Sequence, residues 1–170
     1  MVGAEDDDTV RTWTLARGAT AGMAVGFLAG VPQVLAAQIV AMLLGRRERA
    51  DIAPRFVQHA AEQLGQSLSP PVRWTLAMAF HFGYAAWWGA AHAAAIEALA
   101  ARRVPPALSG GLLGAIIYTL AFSRTGMGPA IGAERHPDRR GWRDWLVQAT
   151  SVLSFSLIVA YGYRGLRERR

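Results

Sequence analysis

The placement of charged residues constrains this chain more than any other feature. Four stretches contain no Asp, Glu, Lys or Arg: residues 18–45, 74–96, 104–123 and 145–163, which are 28, 23, 20 and 19 residues long. A helix needs roughly 20 apolar residues to cross a hydrocarbon core about 30 Å thick. Helices of soluble proteins usually carry polar residues on the side that meets water. The pattern therefore predicts an all-α integral membrane protein, a bundle of four transmembrane helices.

The ends of these stretches define the predicted organisation. An acidic, disordered tail (1–12) precedes a four-span membrane domain (13–163), and a basic tail (164–170) follows it. We predict spans at about 15–44, 72–99, 107–124 and 145–163. Arg102 to Pro106 is a short connection, so spans two and three are expected to be antiparallel neighbours. Ser109 is a candidate N-cap for span three.

The longest loop, between spans one and two, contains a second helical pattern. Pro54 is placed to begin a helix, and apolar residues then recur at Phe56, Ala60 and Leu64. Polar residues occupy the other side, so we predict a short amphipathic helix at the level of the lipid headgroups. A solvated helical loop is the alternative interpretation.

Charge and composition bear on which membrane the protein occupies and on its orientation there. All 18 basic residues are Arg, which is typical of a GC-rich bacterial coding sequence, and the net charge is +6. We attribute that charge to lipid phosphates and topology rather than to nucleic acid, and we expect the cell inner (cytoplasmic) membrane. Eight Arg on one predicted side against ten on the other do not decide orientation. We expect both termini in the cytoplasm, as in most proteins with an even number of spans.

Small residues recur at helical spacing in three of the predicted spans. Ala86, Ala90 and Ala94 form such a row in span two. The glycines of spans one and three do the same and are the predicted helix-packing residues: Gly18, Gly22, Gly26, Gly30, Gly110 and Gly114. Between membrane helices, close backbone approach through small residues drives association. We expect packing within the chain, with a homodimer seam as the alternative.

Two histidines in span two form a candidate intramembrane polar site. His81 and His92 are eleven residues apart and therefore share a helix face, with Tyr84 and Trp88 nearby. Ionisable side chains inside a membrane are costly and often mark a pathway or a cofactor. A neutral histidine bonded across the bundle to a hydroxyl or a backbone carbonyl is the plainer interpretation. The candidate hydroxyl partners are Tyr118, Ser123, Ser151 and Ser154.

No cofactor or metal is expected. Eleven residues of helix rise about 16 Å, so His81 and His92 cannot ligate one iron or zinc ion. The purified chain should therefore be colourless. Glu97 is expected to form an ion pair at headgroup level near Arg102 and Arg103. The sequence has no cysteine and no catalytic motif, and we do not expect an enzyme.

Two functions fit these observations. The first is a structural, scaffold or accessory-subunit role through the glycine-rich helix faces, with the lipid bilayer and either a homodimer or a larger membrane complex as partners. The second is a small transporter, channel or proton-handling protein that uses His81 and His92.

The sequence resembles the YagU-like family of bacterial inner-membrane proteins over about residues 18–126. The resemblance rests on the first-span stretch from Gly22 to Gly30, GMAVGFLAG, and on the second-span stretch from Phe80 to Gly89, FHFGYAAWWG. A long polar loop lies between them, and a Pro-Pro turn and a Gly-Gly third span follow. The resemblance implies a multi-span inner-membrane protein without an established biochemical activity, and it transfers no catalytic residue.

Overall fold

Six helices make up the parts of the chain that the computed structural model describes, which are residues 5–45, 52–99, 103–130, 132 and 141–169. The helices are α1 (Glu5–Leu43), α2 (Ile52–Gln63), α3 (Pro70–Ala98), α4 (Pro106–Phe122), α5 (Met127–Ala130) and α6 (Trp142–Glu168). No strand occurs within these ranges. The prediction of an all-α protein is confirmed.

Three segments are long and apolar enough to cross a membrane: Leu15–Leu43, Pro106–Ala130 and Trp142–Glu168. They indicate a membrane protein. The second predicted span, α3, has 29 residues but is not among the three. Length and charge do not separate it from the others, because it carries no charge from Trp74 to Ile96. The difference is hydropathy, which the histidines, tryptophans and tyrosine of α3 lower.

The four long helices pack in an order that differs from their order in the sequence. α1 packs against α3 and α6, and α6 packs against both α1 and α4. α1 and α4 run in one direction, and α3 and α6 run in the other, since Gly18 faces Tyr163 and Gly110 faces Ala160. The predicted pairing of spans two and three is wrong in one respect: α4 packs chiefly against α6 rather than α3.

The central core explains this order. It joins residues of α1, α3, α4 and α6, and the large Trp88 ring of α3 lies in the same cluster as Leu113 and Ile117 of α4. Glycine faces bring α1 close to α3, and α4 close to α6, whereas bulky side chains fill the space between α3 and α4. The buried members are Ala29, Ala85, Trp88, Leu113, Ile117, Phe122, Val152, Phe155 and Val159.

Several helix ends differ from the predicted ends. α1 begins at Glu5, so residues 5–12 are helical although we predicted a disordered tail; helix N-termini favour acidic residues. α6 continues to Glu168, through most of the predicted basic tail. Ser109 is not an N-cap, because α4 begins at Pro106 and a proline is well suited to the first helical position.

α2 packs against α3 at the end of the bundle where α3 begins. The rings of Phe56 and Phe80 stack with centroids 4.4 Å apart, and Ala61 is buried. Ala60 and Leu64, which we placed on the same apolar face as Phe56, are exposed. The packed face is rotated around the helix axis relative to the predicted one, toward Pro54 and Ala61, which are buried.

Candidate functional site

The closest helix contact joins α1 to α3 through three glycines. A Cβ atom added to Gly22 would lie closer than 3.0 Å to the carbonyl oxygen of Gly89, and one added to Gly26 would lie equally close to the carbonyl oxygen of Ala85. A Cβ on Gly89 would in turn meet the backbone of Gly22 and Gly26. We call Gly22, Gly26 and Gly89 the glycine seam. It lies within one chain.

The other predicted packing glycines have different surroundings. Gly110 faces Ser156 and Ala160 of α6, and Gly114 faces the Ser156 hydroxyl, so both lie in the α4–α6 contact. Gly30 lies against the Phe82 ring, where an added Cβ atom would be 3.1 Å from Cδ1 of that ring. Gly18 lies beside polar side chains, as described below.

The buried row of small residues on α3 is displaced by one sequence position from the row that we predicted. Ala85, Gly89 and Ala93 are buried, whereas Ala86, Ala90 and Ala94 are only partly buried. Both sets recur every fourth residue, and α3 is so rich in alanine that spacing alone fits either. Gly89 decides between them, because only a glycine permits this approach of the α1 backbone.

His81 makes the kind of contact that the plainer of its two predicted roles requires. Its Nε2 atom lies 3.2 Å from the carbonyl oxygen of Gly30 on α1. A carbonyl can only accept, so Nε2 carries the proton and donates. The bond crosses from α3 to α1, and His81 therefore helps to fix the two helices next to each other.

His92 has no such partner. The side chain is buried, with 8% of its surface exposed, and neither Nδ1 nor Nε2 forms a hydrogen bond. Its ring meets the Tyr163 ring of α6 edge to face, with centroids 6.3 Å apart. Trp88, one turn earlier on α3, is also buried, and its Nε1 atom forms no hydrogen bond of good geometry, although the Tyr84 hydroxyl lies close to it. The predicted site thus separates into a bonded His81 and an unbonded His92.

Aromatic side chains line α3 between the two histidines. The Tyr84 ring stacks on Phe80 at 5.8 Å and meets Trp88 edge to face at 6.0 Å. Tyr84 and Trp88 therefore belong with the apolar core rather than with His81.

A group of polar residues near His92 was not predicted as a site. Tyr163 donates a hydrogen bond to Oε1 of Glu97 over 2.9 Å, and Nε of Arg167 lies 2.8 Å from the same oxygen. The Glu97 side chain is only 4% exposed. A Cβ on Gly18 would lie 2.8 Å from the Tyr163 hydroxyl oxygen, so glycine leaves room for this group. We call Glu97, Tyr163 and Arg167 the carboxylate cluster.

The ion pair of Glu97 was predicted with other partners. Arg103 is exposed, Arg102 lies outside the described residues, and Arg167 of α6 forms an ion pair with Glu97. Tyr163 and Arg167 are four residues apart and share a face of α6, which was the available sequence signal. Sequence alone did not show that this face meets the end of α3.

Polar contacts also occur toward the opposite end. The Gln33 side chain of α1 donates to the Ser151 hydroxyl of α6 over 3.3 Å, and the Ser154 hydroxyl donates to the Ser151 carbonyl oxygen. Ser151 and Ser154, which we considered as partners of the histidines, are thus bonded elsewhere. Across the described residues, no three His, Asp or Glu side chains come together as metal ligands.

The three helices that are long and apolar enough to cross a membrane indicate a helical membrane protein. Comparison with known proteins finds no matching family model, no matching curated protein and no matching solved structure. The resemblance to the YagU-like family remains a prediction from the residues quoted above.

Proposed function

We propose that the protein is a four-span bundle of the inner (cytoplasmic) membrane, with both termini in the cytoplasm. The observation that supports a fourth span is the distribution of polarity around α3. Its exposed residues between Trp74 and Ile96 are uncharged and mostly apolar, and His92, which lowers its hydropathy, is buried inside the bundle. The exposed residues are Trp74, Thr75, Leu76, Met78, Ala79, Gly83, Trp87 and Ala95.

Within that membrane, we propose a structural or accessory role, as a small rigid bundle that packs against itself or within a larger membrane complex. The observation that carries this proposal is the glycine seam, which holds α1 and α3 at backbone contact. The outer surfaces of α1 and α4 are broadly apolar, with Leu28 68% and Leu108 65% exposed, and suit lipid or a membrane partner.

The seam gives a direct test of this role. We expect the double substitution Gly22→Leu and Gly26→Leu to disrupt the bundle, because each leucine would overlap the α3 backbone. Gly83→Leu is the matched control, since a Cβ there meets nothing within 4 Å. Membrane abundance and size-exclusion profiles in detergent report the result. Unchanged assembly and stability of the double variant would contradict the proposal.

Proton handling is the second candidate, and His92 is the specific observation that favours it. An unbonded histidine lies next to the carboxylate cluster, so groups able to exchange protons meet at one end of the bundle. Liposomes containing the protein should then show pH-dependent flux that His92→Ala abolishes. His59→Ala is the control, because His59 lies on α2 and contacts Gln63. Flux equal to that of empty liposomes from pH 5 to 8 would remove this candidate.

A further inference from the structure

Three buried ring nitrogens of α3 lack hydrogen-bond partners: Nδ1 and Nε2 of His92, and Nε1 of Trp88. The two side chains are 8% and 7% exposed, so neither is open to bulk solvent or lipid headgroups. An unpaired polar group in a low-dielectric interior is costly, and nearly all such groups in folded proteins bind protein atoms or ordered water. These nitrogens therefore indicate a ligand.

The hydrogen-bonding capacity of the two rings restricts the ligand's chemistry. A neutral imidazole has one N–H donor and one acceptor nitrogen, and an indole has one N–H donor. A carbonyl or carboxylate ligand would satisfy only the donors, and a metal ion only the acceptor. A small molecule that both donates and accepts satisfies all three. Water is the smallest such molecule, and it binds buried sites that offer several polar partners.

We propose that His92 and Trp88 bind internal water between α3 and α6, beside the carboxylate cluster. Tyr163 connects the proposed water site to the carboxylate cluster, because its ring contacts His92 and its hydroxyl donates a hydrogen bond to Glu97. His92 lies five residues before Glu97, about 7.5 Å of helix rise. The cluster marks the end from which water enters, since Arg167 is the partly exposed member of the group, at 29%. This water site goes beyond the proposed structural role, and it does not depend on the second candidate function, proton handling.

Solid-state NMR of the full chain in lipid bilayers tests the site, with ¹⁵N-labelled histidine and tryptophan. Magnetisation should pass from water protons to the His92 ring nitrogens and to Nε1 of Trp88. Trp87 is the internal control: it is the next residue on α3, but it is 58% exposed and points outward from the bundle. In a membrane that side chain faces hydrocarbon, and its indole should receive little transfer from water.

A variant then tests whether the two rings share the site. His92→Phe removes both imidazole nitrogens at similar ring size, and we expect the transfer from water to Trp88 to be lost. His92→Gln keeps a donor and an acceptor, and it should retain that transfer. If His92→Phe does not fold, the wild-type spectrum and His92→Gln still decide the question.

Three results would overturn the proposal. The first is a folded wild-type protein in which His92 receives no transfer from water. The second is equal transfer to Trp87 and Trp88, which would mean that water reaches α3 generally. The third is an unchanged Trp88 signal in a folded His92→Phe variant.

Discussion

Gly110 and Gly111 are adjacent in α4, yet a side chain added to each would meet different surroundings. A Cβ on Gly110 would lie 3.0 Å from the Ser156 carbonyl oxygen, whereas one on Gly111 would meet nothing within 4 Å. We expect Gly110→Leu to lower the free energy of unfolding by about 1–3 kcal/mol through overpacking. Gly111→Leu should be neutral or stabilising by up to ~1 kcal/mol, because leucine favours helix more than glycine does. Thermal unfolding in detergent measures both, and equal effects would contradict the α4–α6 contact.

The buried carboxylate of Glu97 gives a second prediction at this scale. Glu97→Gln leaves Arg167 without its ion-pair partner, and we expect a loss of about 1–3 kcal/mol of stability. The expected loss of stability is smaller than for a fully buried ion pair, because the Arg167 side chain is 29% exposed and can turn toward water. The control is Arg164→Gln, which breaks a pair on α6 whose side chains are 51% and 62% exposed. An exposed pair of this kind contributes roughly 0–1 kcal/mol. Similar losses in the two variants would contradict a buried role for Glu97.

At the residue scale, spacing predicted part of the site. The four-residue repeat identified Gly22 and Gly26, and the cost of polar groups in a membrane drew attention to His92. The repeat could not choose between Ala85 and Ala86, because both lie in alanine-rich runs. The sequence also could not predict the ion-pair partner of Glu97, because that partner depends on which face of α6 meets the end of α3.

At the scale of the element, α3 is the helix whose placement decides the topology. The chain contains no cysteine, so single-cysteine variants can be labelled without background. We expect Ser67→Cys, before α3, and Leu99→Cys, after it, to react with a membrane-impermeant maleimide from opposite sides. Ala86→Cys should resist labelling, because the proposed topology puts it at mid-membrane. Reaction of both flanking cysteines from the same side would show that α3 does not cross.

Hydropathy predicted α1, α4 and α6 as spans but is less informative for α3. A hydropathy average treats a buried histidine and a lipid-facing histidine alike, although His92 costs nothing at the lipid surface when it lies inside the bundle. The charge-free length of α3 is the signal on which the proposed fourth span rests. The neighbours of α4 were not predictable from loop length, because the glycine faces and the bulk of Trp88 set them.

For the molecule as a whole, the purified chain should be colourless. Haem in a helical bundle takes its axial ligands from facing helices. In the described parts of the bundle, His81 is bonded to the Gly30 carbonyl, and the ring that faces His92 across the helix contact is Tyr163. An absorption spectrum of detergent-purified protein provides the measurement. A Soret band that disappears in His92→Ala would contradict this expectation and make electron transfer the leading function.

The packing order α3–α1–α6–α4 has a consequence for how the protein is made. Synthesis reaches α1 before α3, α4 and α6, yet α1 packs against both α3 and α6. α4 likewise cannot complete its packing until α6 is present, because Gly110 and Gly114 contact α6. A nascent chain that stops before α6 would therefore leave two helices with uncovered packing faces in the bilayer. Membrane proteases that recognise unassembled helices would meet such a chain, so C-terminal truncations should be cleared from the cell faster than the full-length protein.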